Sequence, residues 1–405
     1  MPNASLRLAG IALAATVLTA CDRTSSPRLP ATGITMLSAP SGDGARFPFL
    51  AADSAGRVAL SWVERGPDSV PAVRFSVRRR GGAWRRPETL VRDSALLVNW
   101  ADFASVVPID DGRLVGQWLR RGTAPHAYDL HLAQSVNDGD IWSASVVPHG
   151  RVRPGEHGFV SVLSTPDGGA SIQFLDGSHA PADAPAMVLN QVVFDSAARV
   201  RPTGVIDARV CDCCQTDAAM TARGPVVVYR DRSNDEVRDI WIARQNGDAW
   251  ITNPVHADGW HINGCPVNGP AVAAEGERVV VAWFTSAGDT ARVRMAFSSD
   301  AGATFGSPLD LVTGPAALGR VDVAWLADGR ALVAWLERAT RTDAHVQLAA
   351  VGADHAITWR ATAGRTDAGR LSGFPRMTRA GDEVLVSWTA TGTPTLVMLA
   401  AVTAR

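Results

Sequence analysis

Three segments hold most of the side chains capable of chemistry. Arg209 to Asp217 carries Cys211, Cys213 and Cys214; Arg230 to Asp239 alternates Arg230, Asp231, Arg232, Glu236, Arg238 and Asp239; Asp258 to Pro270 adds Trp260, His261 and Cys265. Thiolates this close together, with His261 or His256 nearby, could hold a soft ion, copper or zinc. In an exported chain the same four cysteines could instead close two disulfides, with three connectivities open. A bridge between the adjacent Cys213 and Cys214 would be strained, so each would pair elsewhere. Thiol redox work is a further reading. The arginine forks could clamp a carboxylate or sugar acid in bidentate fashion. Asp231 or Glu236 with Asp239 could act as acid and base on a glycosidic bond. Against these stands a loop of alternating charge that pairs only with itself.

These segments belong to a chain of 405 residues with a net charge of −1, which gives no bulk electrostatic case for nucleic acid as a partner. Every basic residue other than histidine is arginine. At the N-terminus, Arg7 precedes the apolar run Leu8 to Leu18, which is too short to span a bilayer as a stable helix. Leu18-Thr19-Ala20-Cys21 follows and resembles a bacterial lipobox, in which the Cys21 thiol is acylated after cleavage. The expected division is a signal peptide over 1–20, a Pro/Ser-rich tether over 21–32 and one folded unit over 33–405. Several acyl chains, at about 0.8 kcal/mol per buried CH₂, anchor a protein to a lipid bilayer without a membrane-spanning helix. Asp22 resembles an inner-membrane retention signal, favouring the periplasmic face of the inner membrane, with the outer membrane as the alternative.

The folded unit repeats. RVALSW, RLVGQW, GASIQF, PVVVYR, RVVVAW, RALVAW and EVLVSW recur with their aromatics (Trp62, Trp118, Phe174, Tyr229, Trp283, Trp335 and Trp388) 52–56 residues apart. Alternating Val, Ile, Leu and aromatic residues between Gly/Asp turns is strand pattern, and no helical period appears. A strand-only repeat of this length predicts an all-β fold, a β-propeller of four-stranded antiparallel blades. Seven second strands favour seven blades, with six as the alternative. The last unit lacks a fourth strand, and Gly33 to Leu37 has no blade of its own; pairing the two would close the ring and hide both edges.

A second signature lies inside the repeats. Ser298, Asp300, Gly302, Thr304 and Phe305 fit S-x-D-x-G-x-T-F/W; Ser135, Asn137, Gly139 and Trp142 fit it with Asn for Asp. Asn246 to Trp250 and Gly81 to Trp84 are eroded copies. The pattern resembles the Asp-box (BNR) repeat of the sialidase superfamily, over essentially the whole mature chain. The physical logic is a turn whose carboxylate or amide caps backbone N–H groups, whose glycine takes φ > 0, and whose aromatic plugs the blade. The resemblance implies structural Asp-boxes on the face away from the ligand. It does not carry sialidase catalysis. That chemistry needs a Tyr nucleophile late in the chain and an Arg motif in the first blade, whereas Tyr128 and Tyr229 are the only tyrosines and Arg46-Phe47-Pro48 is a poor substitute for the motif.

Chain direction through such blades places the three chemistry-rich segments on one face, at the mouth of blades 4 and 5. The expected function is therefore an envelope-anchored lipoprotein whose sialidase-like propeller binds a glycan, a metal or an envelope protein there. The alternatives are an exo-acting glycoside hydrolase with a rearranged site and a copper-handling or thiol-redox protein.

Overall fold

The computed structural model describes residues 1, 32–110, 112–150, 154–178 and 186–404. The expected signal peptide beyond Met1, Cys21 and the tether up to residue 31 lie outside them, and Thr32 already belongs to a strand. No helix among the described residues is long and apolar enough to cross a membrane.

The chain is a seven-bladed β-propeller with antiparallel blades and almost no helix. The innermost strands are Arg46–Ala52, Ser105–Asp110, His157–Ser164, Asp217–Thr221, Ala271–Glu275, Ala317–Trp325 and Arg376–Ala380. Six sheets have four strands; in the blade that begins at Ser105, three strands and an isolated Leu132–Val146 bridge take their place. The ring closes as the leftover strand required: Thr32–Leu37 pairs with Leu396–Ala404 in register from Thr32 opposite Ala404 to Leu37 opposite Leu399.

All seven repeating aromatics lie on second strands and are buried. Four of them place a ring N–H or hydroxyl against a polar partner, as buried Trp and Tyr usually do. Trp62 donates to Glu64 (2.9 Å), Trp283 to Asp258 (2.7 Å), Trp335 to Glu337 (3.2 Å) and Tyr229 to Asp207 (2.7 Å). The apolar core sits between blades rather than along an axis. Val280 and Met295 of blade 5, for example, pack with Trp325, Val333 and Trp335 of blade 6. Each such large side chain withdrawn from water contributes about 1.5–3 kcal/mol.

The turns around Ser135 and Ser298 follow third strands, on the face opposite the loops that lead into each blade. In the second, Ser298 donates to Asp300 (2.7 Å) and accepts from the Gly302 N–H (2.9 Å), while Asp300 accepts from the Thr304 N–H (2.9 Å). Asn137 replaces Asp300 in the first, accepting from Ser135 and the Ile141 N–H. The glycines are obligatory for two reasons. Gly139 and Gly302 have φ of 93° and 83°. A Cβ would also lie 2.3 Å from Phe75 or 2.6 Å from Ile242 of the preceding blade.

Two carboxyls, one just before an innermost strand and one on it, make stability depend on pH. Burial pushes Asp102 and Asp217 up to about 7 each. An unfolded aspartate releases its proton near pH 4, so between about 4 and 7 the folded chain holds more protons and its stability falls as pH rises. His149, lowered to about 4 by burial, pulls the other way. Asp102→Asn is therefore expected to flatten the fall measured by urea unfolding from pH 5 to 8, by a few kcal/mol at most. An unchanged slope would mean that Asp102 ionises normally.

Candidate functional site

Loops that lead into blades, and loops between second and third strands, converge on one face. There they line a cavity of about 500 Å³. Asn99 and Trp100 come from the segment leading into blade 2, Arg121 and His126 from the turn beyond its second strand, and Glu156 from the segment leading into blade 3. Asp212 and Cys213 reach it from blade 4 and Arg370 from blade 7, with Tyr128 at its wall. Arg370 and His126 are exposed, whereas Trp100 and Glu156 are half-buried. Burial raises Glu156 above the ordinary carboxylate range. It also raises Tyr128, with Asp102, Glu156 and Cys213 adding to the effect.

A second cavity, about 440 Å³, is the central channel lined by the inner strands. An aromatic cluster lies at the end of the channel nearest the mouth. Trp100 stacks on Phe374 at 5.9 Å, Phe103 meets Phe374 edge-on at 5.4 Å, and the Arg320 guanidinium covers Trp100 at 4.6 Å.

The charged loop of blade 4 is mostly consumed by the fold. Arg230, 2% exposed, donates to the carbonyls of Asn268 (2.8 Å), Arg238 (2.6 Å) and Phe284 (2.7 Å), and lies 4.8 Å over the Trp260 ring. Trp260 is itself buried against Phe284. Asp239 accepts from the N–H groups of Gly259 (2.8 Å) and Trp260 (3.0 Å), fixing the loop that leads into blade 5. Glu236 binds Arg232 (2.8 Å) and Arg238 (2.7 Å), and hydrogen bonds from Arg232 hold its carboxyl at about 2. Asp231 is the exception: burial, with Asp207 and Asp239 nearby, pushes it up to about 7. Neither Asp231 nor Glu236 lines the 500 Å³ cavity. The 500 Å³ cavity thus lies over blades 2 to 4, with Val267 of the loop leading into blade 5 also on its wall, while Arg230 and Trp260 are engaged by backbone carbonyls and packing.

The cysteines divide. Cys211 Sγ is 3.3 Å from Cys214 Sγ and 3.8 Å from Cys213 Sγ, and the four cysteines among the described residues are free thiols. Cys265 and His261 are both exposed and stand outside this cluster. His256 is engaged with Asp258 at 2.9 Å. Arg238 donates to Cys211 (3.4 Å). Cys211 is held well below the usual thiol range, first by its side-chain hydrogen bonds with Cys213 and Cys214, while burial pushes Cys214 up to about 12.

The residues that sequence reading missed are Asn99, Trp100, Arg121, His126, Tyr128 and Glu156. They come from separate segments, so no linear density of charge or thiol marks them. The usable signal was Gly122 to Ala127, an irregular stretch between two well-patterned strands.

No protein-family model matches the chain, and no curated protein matches its sequence. Solved structures do. The BP39L lectin of Burkholderia pseudomallei superposes with a TM-score of 0.56 at 13% identity, over 87% of this chain and 95% of that one. The polysaccharide lyase Uly1 gives 0.52 at 10% identity, over 89% and 90%. A leech intramolecular trans-sialidase gives 0.44 at 10% identity, over 88% and 68%. At such identities the likeness shows the propeller fold alone.

Arg230→Lys tests the structural assignment of the blade 4 loop. An ammonium cannot serve three carbonyls at once, and the change should cost about 3 kcal/mol in urea unfolding. A loss within experimental error would return Arg230 to the set of ligand-binding candidates.

Proposed function

We propose that this protein is an envelope-anchored lipoprotein whose propeller binds a glycan in the cavity over blades 2 to 4. One observation carries the reading: cations and carboxylates line a single concavity beside Trp100 and Tyr128. A sugar hydroxyl both donates and accepts, so it suits a surface where Arg121, His126 and Arg370 stand among Asn99, Glu156 and Asp212. The apolar face of a pyranose suits an aromatic ring. A volume of about 500 Å³ fits a short oligosaccharide rather than a polymer groove. The lectin and the polysaccharide lyase that share the fold are named for carbohydrate, which supports a sugar as the ligand class. Anchoring through Cys21 rests on the lipobox-like segment, and assignment of the Ser135 and Ser298 turns as Asp-boxes rests on their sequence and their capping hydrogen bonds.

Screening the chain on an immobilised glycan panel, followed by calorimetry, tests the pocket. Glu156→Gln and Arg370→Ala should each weaken binding about tenfold or more, since a charge-assisted hydrogen bond is worth about 1.5–3 kcal/mol. Glu277→Gln, on the opposite face, should leave binding unchanged. Equal effects from all three, or no glycan bound, would remove the proposal. Turnover of a fluorogenic glycoside that survives Glu156→Gln but is lost in Asp231→Asn would favour the hydrolase reading and move the site to blade 4. Cys21→Ser should release the protein from the membrane fraction; retention there would refute the anchor.

A further inference from the structure

We propose that Cys211, Cys213 and Cys214 form a three-sulfur site for one soft monovalent metal ion of the Cu(I) class. This goes beyond the glycan reading and does not rest on it.

The three sulfurs lie within 4.8 Å of one another at the start of blade 4, two of them buried and the third half-buried. Nothing in the fold consumes them as packing alone would. Cys211 receives the hydrogen bond from Arg238, a side chain 3% exposed whose other contacts go to Glu236 and Asp212. A buried guanidinium thus donates directly to one of the three sulfurs, a charged contact that apolar packing alone would not place there.

Donor type selects the ion. Every nitrogen ligand anticipated from the sequence is elsewhere: His261 is exposed and outside the cluster, and His256 is held by Asp258. The nearest carboxylate, Asp212, lies between Arg232 (3.4 Å) and Arg238 (3.6 Å). Structural zinc takes four protein ligands in a tetrahedron, and this cluster offers three. A set of thiolates without imidazole or carboxylate suits a soft ion content with low coordination. Cys213 alone of the three lines the 500 Å³ cavity, so ions would arrive and leave through that sulfur.

The neighbouring histidine pair is a weaker metal candidate for a geometric reason. His149 and His157 stack face to face, 3.5 Å apart and 4° from parallel, so their in-plane lone pairs run side by side and do not converge on one point. His149 Nε2 also accepts from the Leu130 N–H (3.3 Å).

The test uses the full chain, reduced and kept under anaerobic conditions, titrated with Cu(I) against a competing bathocuproine chelator. One Cu(I) per chain is expected, with sulfur-to-copper charge-transfer absorption and a sulfur-only first shell by X-ray absorption. Cys213→Ser, at a half-buried position where folding can be checked by circular dichroism, should weaken Cu(I) at least about 100-fold. Cys265→Ser and His261→Ala should bind as the parent does. Four outcomes would overturn the site: no Cu(I) held against the chelator, equal affinity in Cys213→Ser, dependence on Cys265 or His261, or nitrogen in the first shell. A Cys211–Cys214 disulfide that resists mild reductant in freshly isolated protein would also overturn it, by assigning two of the three sulfurs to a bond.

Discussion

The structure depends on how the innermost strand of each blade satisfies its backbone at the channel. That strand has a partner on one side only, and at its start, near the mouth, the fold brings a side chain from the preceding blade to meet it. Thr389 accepts from the Phe47 N–H, Ser61 from Val106, Asp102 from Phe159, Gln215 from Gly269, Asp217 from Val272, Asn268 from Arg320 and Asp322 from Met377. Between blades 3 and 4 the polarity reverses, and Thr216 donates to the Phe159 carbonyl (2.7 Å). Every boundary in the ring therefore carries at least one such bond. A single bond is worth about 1 kcal/mol net, but a buried amide left without one costs about 1–3 kcal/mol. The polar residues near the axis are there because an apolar substitute would orphan a neighbour's backbone.

These bonds also explain the strained residues near the axis. Phe47, Phe159 and Arg320 have φ of 53°, 55° and 54°, a left-handed conformation that costs an L-residue roughly 1–2 kcal/mol. All three are among the residues whose N–H is captured by the preceding blade. Pairing with the second strand slips just there, between Arg46 and Phe49 and between Gly319 and Asp322. Such bulges redirect the chain as it enters a blade. Their consequence is lateral. Phe103, Phe374 and Trp100 gather over the axis, and open volume is left beside them, over blades 2 to 4.

Fold and site differ in legibility for one reason. A blade is written locally: alternation, a turn and one aromatic recur in each repeat, so Trp62 through Trp388 mark the ring and the unpartnered Gly33 to Leu37 marks its closure. The pocket is written across blades, its lining drawn from separate stretches that include 97–101, 121–128 and 212–213. The charged loop misled because sign alternation records which groups are present but not which acceptors stand near them. Arg230 ends the strand Gly224–Arg230 beside a buried tyrosine, and that position was the clue that its donors would turn to carbonyls. The cysteines were legible as a cluster of three, whereas the separation of Cys265 and His261 from it depends on the path of a loop.

That loop shows how the fold and the sulfur cluster share one set of charges. The Ser233 hydroxyl accepts from the N–H groups of Asp235 (3.2 Å) and Val237 (3.1 Å), winding residues 233–237 into a tight turn. The turn holds Glu236 at φ 60° and directs its carboxylate between Arg232 and Arg238. Glu236 thereby occupies Nε and Nη2 of Arg238, leaving Nη1 for the Arg230-side interior, where it meets Cys211. A longer or looser loop would let Arg238 swing to solvent, and Cys211 would lose its charged hydrogen-bond donor. The place of Arg238 against Cys211 is thus set by a serine-capped turn more than twenty residues further along the chain, and the charged loop is the scaffold of the sulfur cluster.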